Sequence, residues 1–270
     1  MSTCCVAFLS DYGHRDPCVG VCHGVIKRVE SEIPVIDLSH GIPAQDIRAG
    51  AIALADCTPF VPRKSVVLAV VDPGVGGHRR AVAVKTFDGM TFVGPDNGLM
   101  APAIALSGGA EHVAEISDSP WRLEPVSRTF HGRDIFAPVA ATIATGAPIS
   151  EAGQPLDPSV LIGLELAGPT VGEGTLETEA IDIDIFGNVR LAATADDLAA
   201  AGVEFGGPVE IDAAGLRVPA RFVHAFADVE PQEPLVFEDS NGSLAVALNQ
   251  GHAGSKLGIK RGAQVRILAS

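Results

Sequence analysis

Apolar residues in the first part of the chain fall into short unbroken runs that alternate with stretches at helical spacing. Val6–Leu9 is such a run and ends at Ser10-Asp11-Tyr12-Gly13, the pattern of a buried strand that delivers polar residues at its carboxyl end. Residues 17–30 follow with Val21, Val25, Ile26 and Val29 on one face and Pro17 at the start, which predicts a helix. Val35–Leu38 predicts a second strand, closed by the turn Ser39-His40-Gly41-Ile42-Pro43. Asp46 to Cys57 predicts an Ala-rich helix, with Pro59 and Pro62 just past its end. Val66–Val71 is a wholly apolar strand that stops at Asp72-Pro73-Gly74-Val75-Gly76-Gly77. Further strands are expected at 82–84 and 91–93, split by a turn at Asp88-Gly89. Asn97-Gly98-Leu99 opens a helical stretch, and Ile135–Thr145 reads as another Ala-rich helix.

This alternation predicts an α/β fold with a largely parallel central sheet. Ligands of such sheets sit beyond the carboxyl ends of the strands, where the polar clusters lie here. The pattern changes near residue 165, at a connector rich in Gly and Pro. Beyond it the expected elements are short strands at 178–185, 188–192, 208–211, 216–224, 234–238, 243–248 and 264–268. One helical turn is expected at Thr194–Ala201, with Thr194 as its N-cap. Short strands with frequent Gly suggest a small barrel or sandwich. The expected organisation is an N-terminal α/β domain over 1–166, a linker of about 167–174, and a smaller C-terminal β-barrel domain over 175–270.

Composition narrows the partners. The 270 residues are 47% hydrophobic, 19% charged and 5% aromatic, so the core rests on Val, Ile, Leu and Ala rather than on rings. No apolar run is long enough to span a bilayer. The net charge is -14 and both halves are acidic, which argues against nucleic acid or an anionic membrane as partner and favours a cationic or neutral small ligand. The five cysteines are odd in number and confined to the first 57 residues, the pattern of a reducing cytosol rather than a disulfide framework. The N-terminus lacks a basic segment before its apolar run and does not read as a secretory signal, so a cytoplasmic location is expected. Cys18 and Cys22 are four apart, but only His14 and His23 lie near them, and no metal site is expected.

Five segments carry candidate chemistry. Asp11, at a strand end facing a helix start, is suited either to accept a ribose diol or to cap the helix near Pro17. Asp72 opens a glycine loop that lacks the Gly-Lys-Ser/Thr of a phosphate loop and leads to Arg79 and Arg80; the loop would let Arg79 fold back towards Asp72. An acid at the end of a buried strand is costly unless it is used, which favours function over a surface ion pair. Pro95-Asp96-Asn97-Gly98 is a turn whose Asp96 could cap the next helix. Thr129-Phe130-His131-Gly132-Arg133-Asp134 places His131 before a helix, where an imidazole suits a base or an orienter, or a simple cap. In Asp184-Ile185-Phe186-Gly187-Asn188, an aromatic for stacking, an amide for a purine edge and an acid for an ammonium lie within five residues; an Asx turn explains the same residues.

Taken in order, Ser10-Asp11-Tyr12-Gly13, Val71-Asp72-Pro73-Gly74-Val75-Gly76, Gly94-Pro95-Asp96-Asn97-Gly98, Thr129 to Asp134, and Asp184…Phe186-Gly187-Asn188 resemble the motifs of the S-adenosyl-L-methionine (SAM) hydroxide adenosyltransferases. These are adenosine-forming SAM hydrolases related to fluorinase and chlorinase. The resemblance covers nearly the whole chain. It implies hydrolysis of SAM at C5′ to adenosine and L-methionine without metal or cofactor, in a homotrimer that binds SAM between neighbouring subunits. It implies that Asp72, Arg79 and His131 handle the water, with Arg80 the alternative arginine. It implies that Asp11 binds ribose, that Asp184 and Ser240 hold the methionine part, and that Phe186, Asn188 and Phe226 hold adenine. Asn241 stands where some relatives place an arginine, and Gln45 where the halogenases carry an aromatic. The halogenases have Tyr at the position of Asp72, and an anionic Asp72 would repel a halide by about 4 kcal/mol at 4 Å in an effective dielectric of 20. The alternatives are a SAM-dependent halogenase, which Asp72 disfavours, and a non-catalytic SAM or adenosine sensor. An unrelated α/β hydrolase would need a Gly-x-Ser-x-Gly elbow, which is missing from the sequence.

Overall fold

A computed structural model describes residues 4–165 and 167–270; Leu166, the last residue of the expected N-terminal domain, lies outside the described residues. The chain divides into two compact units, residues 1–164 and 165–270.

The first unit is a seven-stranded sheet between two helical layers. Strands β1 (Val6–Ser10), β2 (Val35–Ser39), β3 (Val66–Val70), β4 (Ala81–Thr86), β5 (Thr91–Pro95), β6 (Ala110–Glu115) and β7 (Gln154–Leu156) stand in the order β2-β1-β3-β5-β4-β6-β7. The β2-β1-β3-β5 half is parallel, as the alternating pattern predicts. The other half is antiparallel, because the tight turn at Asp88-Gly89 joins β4 to β5 as a hairpin and β6 and β7 continue that sense. Side chains alternate between two cores. Val6, Phe8, Leu68 and Val70 face helices α1 (Cys18–Val29) and α4 (Ala137–Ala144). Leu9, Val67, Ala69 and Phe92 face α2 (Ile47–Cys57) and α3 (Ala101–Leu106). Burial on both faces is why these strands read as continuous apolar runs. Helix α2 begins as expected at Asp46, whose carboxylate accepts the Ala49 N–H at 2.9 Å.

Three features escape the hydropathy pattern. β6 carries charge at Glu111 and Glu115, and β7 is a three-residue edge strand containing Pro155, tolerated only because an edge needs no full ladder. The helix expected from Ile135 begins instead as a wide π-type turn over Gly132–Phe136, and regular α geometry starts at Ala137. Such turns gather at functional sites.

The second unit is a barrel. Strands β9 (Thr175–Ile183), β10 (Val189–Leu191), β11 (Pro208–Ala213), β12 (Leu216–Phe222), β13 (Pro234–Glu238), β14 (Leu244–Leu248) and β15 (Gln264–Ala269) form the order β10-β14-β13-β12-β11-β15-β9. Pairing of β9 with β10 closes the seven strands, and β8 (Thr170–Gly172) adds to β9 from outside. Its interior is filled by Leu176, Val189, Ile211, Val236, Val246 and Ile267. Thr194 caps α5 (Ala195–Ala200) through a capping box with Asp197, as its position in the sequence suggests.

Candidate active site

Parallel pairing puts Asp11 and Asp72 at neighbouring strand ends: β1 and β3 run in register to Ser10 and Val70, and the Asp11 N–H donates to the Val70 carbonyl at 3.3 Å. The loop after Asp72 then returns. Arg79 Nε donates to both Asp72 carboxylate oxygens at 2.9 and 3.0 Å, and its Nη2 also contacts Oδ2. The same Nη2 donates to His131 Nδ1 at 2.8 Å, and the guanidinium lies 5.2 Å from the centre of the buried Phe136 ring. The side chains of Asp72 and Arg79 are only 6% and 11% exposed, so this ion pair is not a solvated surface pair. Arg80 goes elsewhere: it binds Asp96 at 2.8 and 2.6 Å, and Asp96 also accepts the Ile162 N–H. Asp96 is therefore a buried strut and not the cap of α3.

Two glycines make this meeting possible. Gly76 has φ +73°, and a Cβ there would stand 2.2 Å from the Arg128 carbonyl oxygen, so the Asp72 loop lies directly against the segment that carries His131. A Cβ on Gly132 would stand 2.1 Å from the Tyr12 hydroxyl. Tyr12 in turn packs edge-on against Phe130 at 5.6 Å. Burial pushes the Tyr12 phenol strongly up, with Cys22, Asp11 and Asp72 adding to it, so it stays protonated. His131 is held below the usual histidine range, first by burial and then by the Arg79 guanidinium. Its imidazole is neutral near pH 7. Arg79 can only donate, so Nδ1 accepts in that contact, and the ring is also hydrogen-bonded to the Ser127 backbone.

Asp11 does not cap α1; its Oδ2 accepts the Gln45 N–H at 2.8 Å, and Pro17 holds the N-cap position of α1 with no side-chain cap. Asn97 Nδ2 donates to the Val71 carbonyl at 2.9 Å and braces the end of β3. Asp134 is buried and binds the Ser127 N–H at 2.8 Å and the neighbouring Arg133 fork. Burial raises its carboxyl, but these bonds outweigh that and leave it below the ordinary range.

In the barrel unit, Asp184 makes the bonds of an Asx turn. Its Oδ1 accepts the N–H groups of Phe186 and Asn188, each at 2.9 Å, and its Oδ2 accepts Asn188 Nδ2 at 2.8 Å. Phe186, Asn188 and Phe226 line one cleft of about 580 Å³ together with Gln250 and His252. Phe186 is 71% exposed and Phe226 40%, large rings left open to solvent. Ser240 stands apart from that cleft, on the exposed turn between β13 and β14. A larger cavity of about 690 Å³, lined by Lys85, His112, Ile143 and Pro155, holds none of the candidate residues. Sequence reasoning missed Phe136, Arg128 and His252. Phe136 is one helical turn from His131, but the others carry no local signal.

Comparison with known proteins identifies the family. Residues 6–153 match the SAM hydroxide adenosyltransferase N-terminal domain and residues 178–266 its C-terminal domain. A Salinispora tropica protein named (R)-S-adenosyl-L-methionine hydrolase is 44% identical over 264 residues, covering 98% of this chain and 97% of its own. One of the same name from Thermus thermophilus is 41% identical, covering 97% and 99%. A fluorinase from Actinopolyspora mzabensis is 28% identical, covering 98% and 97%. The crystal structure of an uncharacterized conserved protein from Thermotoga maritima superposes with a TM-score of 0.91 at 34% identity, over 97% of this chain and 99% of that one. Matched across both units by the two domains of one family, the chain belongs to the SAM hydroxide adenosyltransferases.

Proposed function

We propose that the protein hydrolyses SAM by attack of water at C5′, releasing adenosine, L-methionine and one proton. The observation that carries this is the Asp72–Arg79–His131 cluster: a nearly buried carboxylate, guanidinium and neutral imidazole at the carboxyl end of β3. The sulfonium leaves as a neutral thioether, so the leaving group needs no acid. What the reaction requires is an aligned water and a group to take its proton. Water has a pKa of about 15.7 and is a poor nucleophile unaided.

Asp72 still has free lone pairs after the Arg79 fork is counted, and it is the proton acceptor in this reading. His131, anchored through Nδ1 to Arg79, orients the water. Arg79 holds both partners and offsets negative charge as hydroxide character develops. Positioned proton transfer of this kind contributes typically about 10²- to 10⁴-fold, and in-line alignment supplies the rest. Asp11 accepts the ribose hydroxyls. Phe186, Asn188 and Phe226 receive adenine, and Asp184 and Ser240 hold the methionine moiety. The Asx turn occupies part of the acceptor capacity of Asp184. The active unit is a homotrimer in the cytoplasm, with SAM bound between subunits; the linker expected at 167–174 contains β8, which pairs with β9 and so belongs to the second unit. Among the described residues no helix is long and apolar enough to cross a membrane.

Incubation with SAM in ¹⁸O water, with chelator and high chloride, tests the reading. The expected product is adenosine carrying ¹⁸O at its 5′ oxygen. A dominant 5′-chloro product, adenine, methylthioadenosine or unlabelled adenosine would refute it. The two sulfur epimers should be assayed separately, because the relatives' names specify the R form.

A further inference from the structure

Outside the cluster at Asp72, three side chains converge that sequence spacing does not bring together. His23 lies on α1, Asp37 in β2, and His40 one residue beyond the end of β2. Both histidines present Nε2 to the same oxygen: His23 Nε2 is 2.8 Å and His40 Nε2 2.9 Å from Asp37 Oδ1. The three ligand atoms all lie within 4.8 Å of one another. We propose that His23, Asp37 and His40 form a binding site for one divalent transition-metal ion of the zinc class, separate from the water-handling cluster and independent of the reaction proposed above.

Four observations support it. Two imidazoles and one carboxylate are a donor set that borderline cations such as Zn²⁺ accept, with bonds of about 2.0–2.2 Å and a fourth position left to water. Ions of that size need neighbouring ligand atoms about 3.3 Å apart, so the present N–O separations need open by only a few tenths of an ångström. His40 has the outer partner that metal-bound histidines commonly show: its Nδ1 is 2.7 Å from Ser10 Oγ, and both side chains are fully buried. In the metal-free form each Nε2 donates to Asp37 Oδ1; binding of the ion would release those protons, with His40 keeping a proton on Nδ1 towards Ser10. Finally, the site has a dry wall and an open front. The buried Phe8 ring packs 4.6 Å from His40 and 6.2 Å from His23, while His23 and Asp37 are 31% and 41% exposed. Solvent therefore supplies both an entry path and the remaining ligand. Cys22, adjacent to His23, points into the core and does not join the set. The proposed ligands come from α1 and the end of β2, not from the Cys18/Cys22 pair, where no metal site is expected.

The ion would tie α1 to the end of β2. Its neighbourhood includes the His40 carbonyl, which accepts the Gly13 N–H at 2.8 Å. The test uses the full chain, stripped with chelator, dialysed and kept reduced. Calorimetric titration with Zn²⁺ should show one equivalent bound. Titration with Co²⁺ should give visible ligand-field bands without thiolate-to-cobalt charge transfer. Asp37→Asn and His23→Gln change partly exposed side chains, so both should fold, with circular dichroism as the check. Each should weaken Zn²⁺ binding by more than about 10-fold, and Ser10→Ala by about 10- to 100-fold. No saturable binding, a thiolate charge-transfer band, or binding unchanged in both His23→Gln and Asp37→Asn would overturn the proposal.

Discussion

Replacing Arg79 by Met isolates what the buried guanidinium does. Met keeps much of the side chain's bulk beside Phe136 but removes every donor to Asp72 and His131. Asp72, 6% exposed, is then a carboxylate without its counter-charge in a site solvent hardly reaches. Removing one partner of a buried pair typically costs about 3–5 kcal/mol, several times the 0–1 kcal/mol of an exposed pair. The loss belongs to the first unit, which can be read separately. The chain's single tryptophan, Trp121, packs against that unit's core, so its fluorescence during denaturant titration follows the unit that contains Arg79. The expected result is a lower midpoint at unchanged slope, equivalent to about 3–5 kcal/mol. Asp72→Asn in the same background should recover part of it, because it removes the stranded charge. Losing Arg79 also removes one of the influences that hold His131 low, so the His131 midpoint followed by NMR should rise. A loss under about 1 kcal/mol with an unmoved His131 midpoint would show that the cluster is a solvated surface pair and refute the reasoning.

Three further outcomes follow from the same geometry. His131 works as a neutral ring held below the usual histidine range by burial and by Arg79, so kcat/KM should fall as pH drops through that lowered range, and in Arg79→Met any residual activity should show the limb shifted upward. Gly132→Ala should lower kcat by at least about 10-fold and cost about 1–3 kcal/mol of stability through overpacking against the Tyr12 hydroxyl, with partial recovery in the Gly132→Ala/Tyr12→Phe double variant; wild-type kcat in Gly132→Ala would contradict the close approach. Asn188→Ala should weaken calorimetric SAM affinity by about 1–3 kcal/mol while single-turnover rates at saturation hold, whereas unchanged affinity would place adenine elsewhere.

Much of the architecture was legible in the chain because each buried strand writes an unbroken apolar run and each helix a 3.6-residue stripe. β1, β3, α1, α2 and most barrel strands fall within a few residues of where the pattern puts them, and Thr194 marks its own helix start through a local hydrogen bond. Local chemistry of that kind depends only on neighbours in sequence. The placement of Asp72 and Asp11 at strand ends was equally readable, since the change from apolar to polar residues is itself the signal. What the chain alone leaves open is whatever depends on distant segments meeting. Both Arg79 and Arg80 follow the same glycine loop. Only the packing of that loop against Arg128 decides that Arg79 reaches Asp72 and His131 while Arg80 turns to Asp96. The pairing of β6 with β7 and the approach of His23 to Asp37 and His40 are of the same kind. Long-range contacts carry no periodicity and no fixed spacing, because the intervening chain closes loops of any length at small additional entropic cost. Hydropathy therefore determined the layers of this protein, and tertiary packing decided which side chains share a proton, a charge or a ligand.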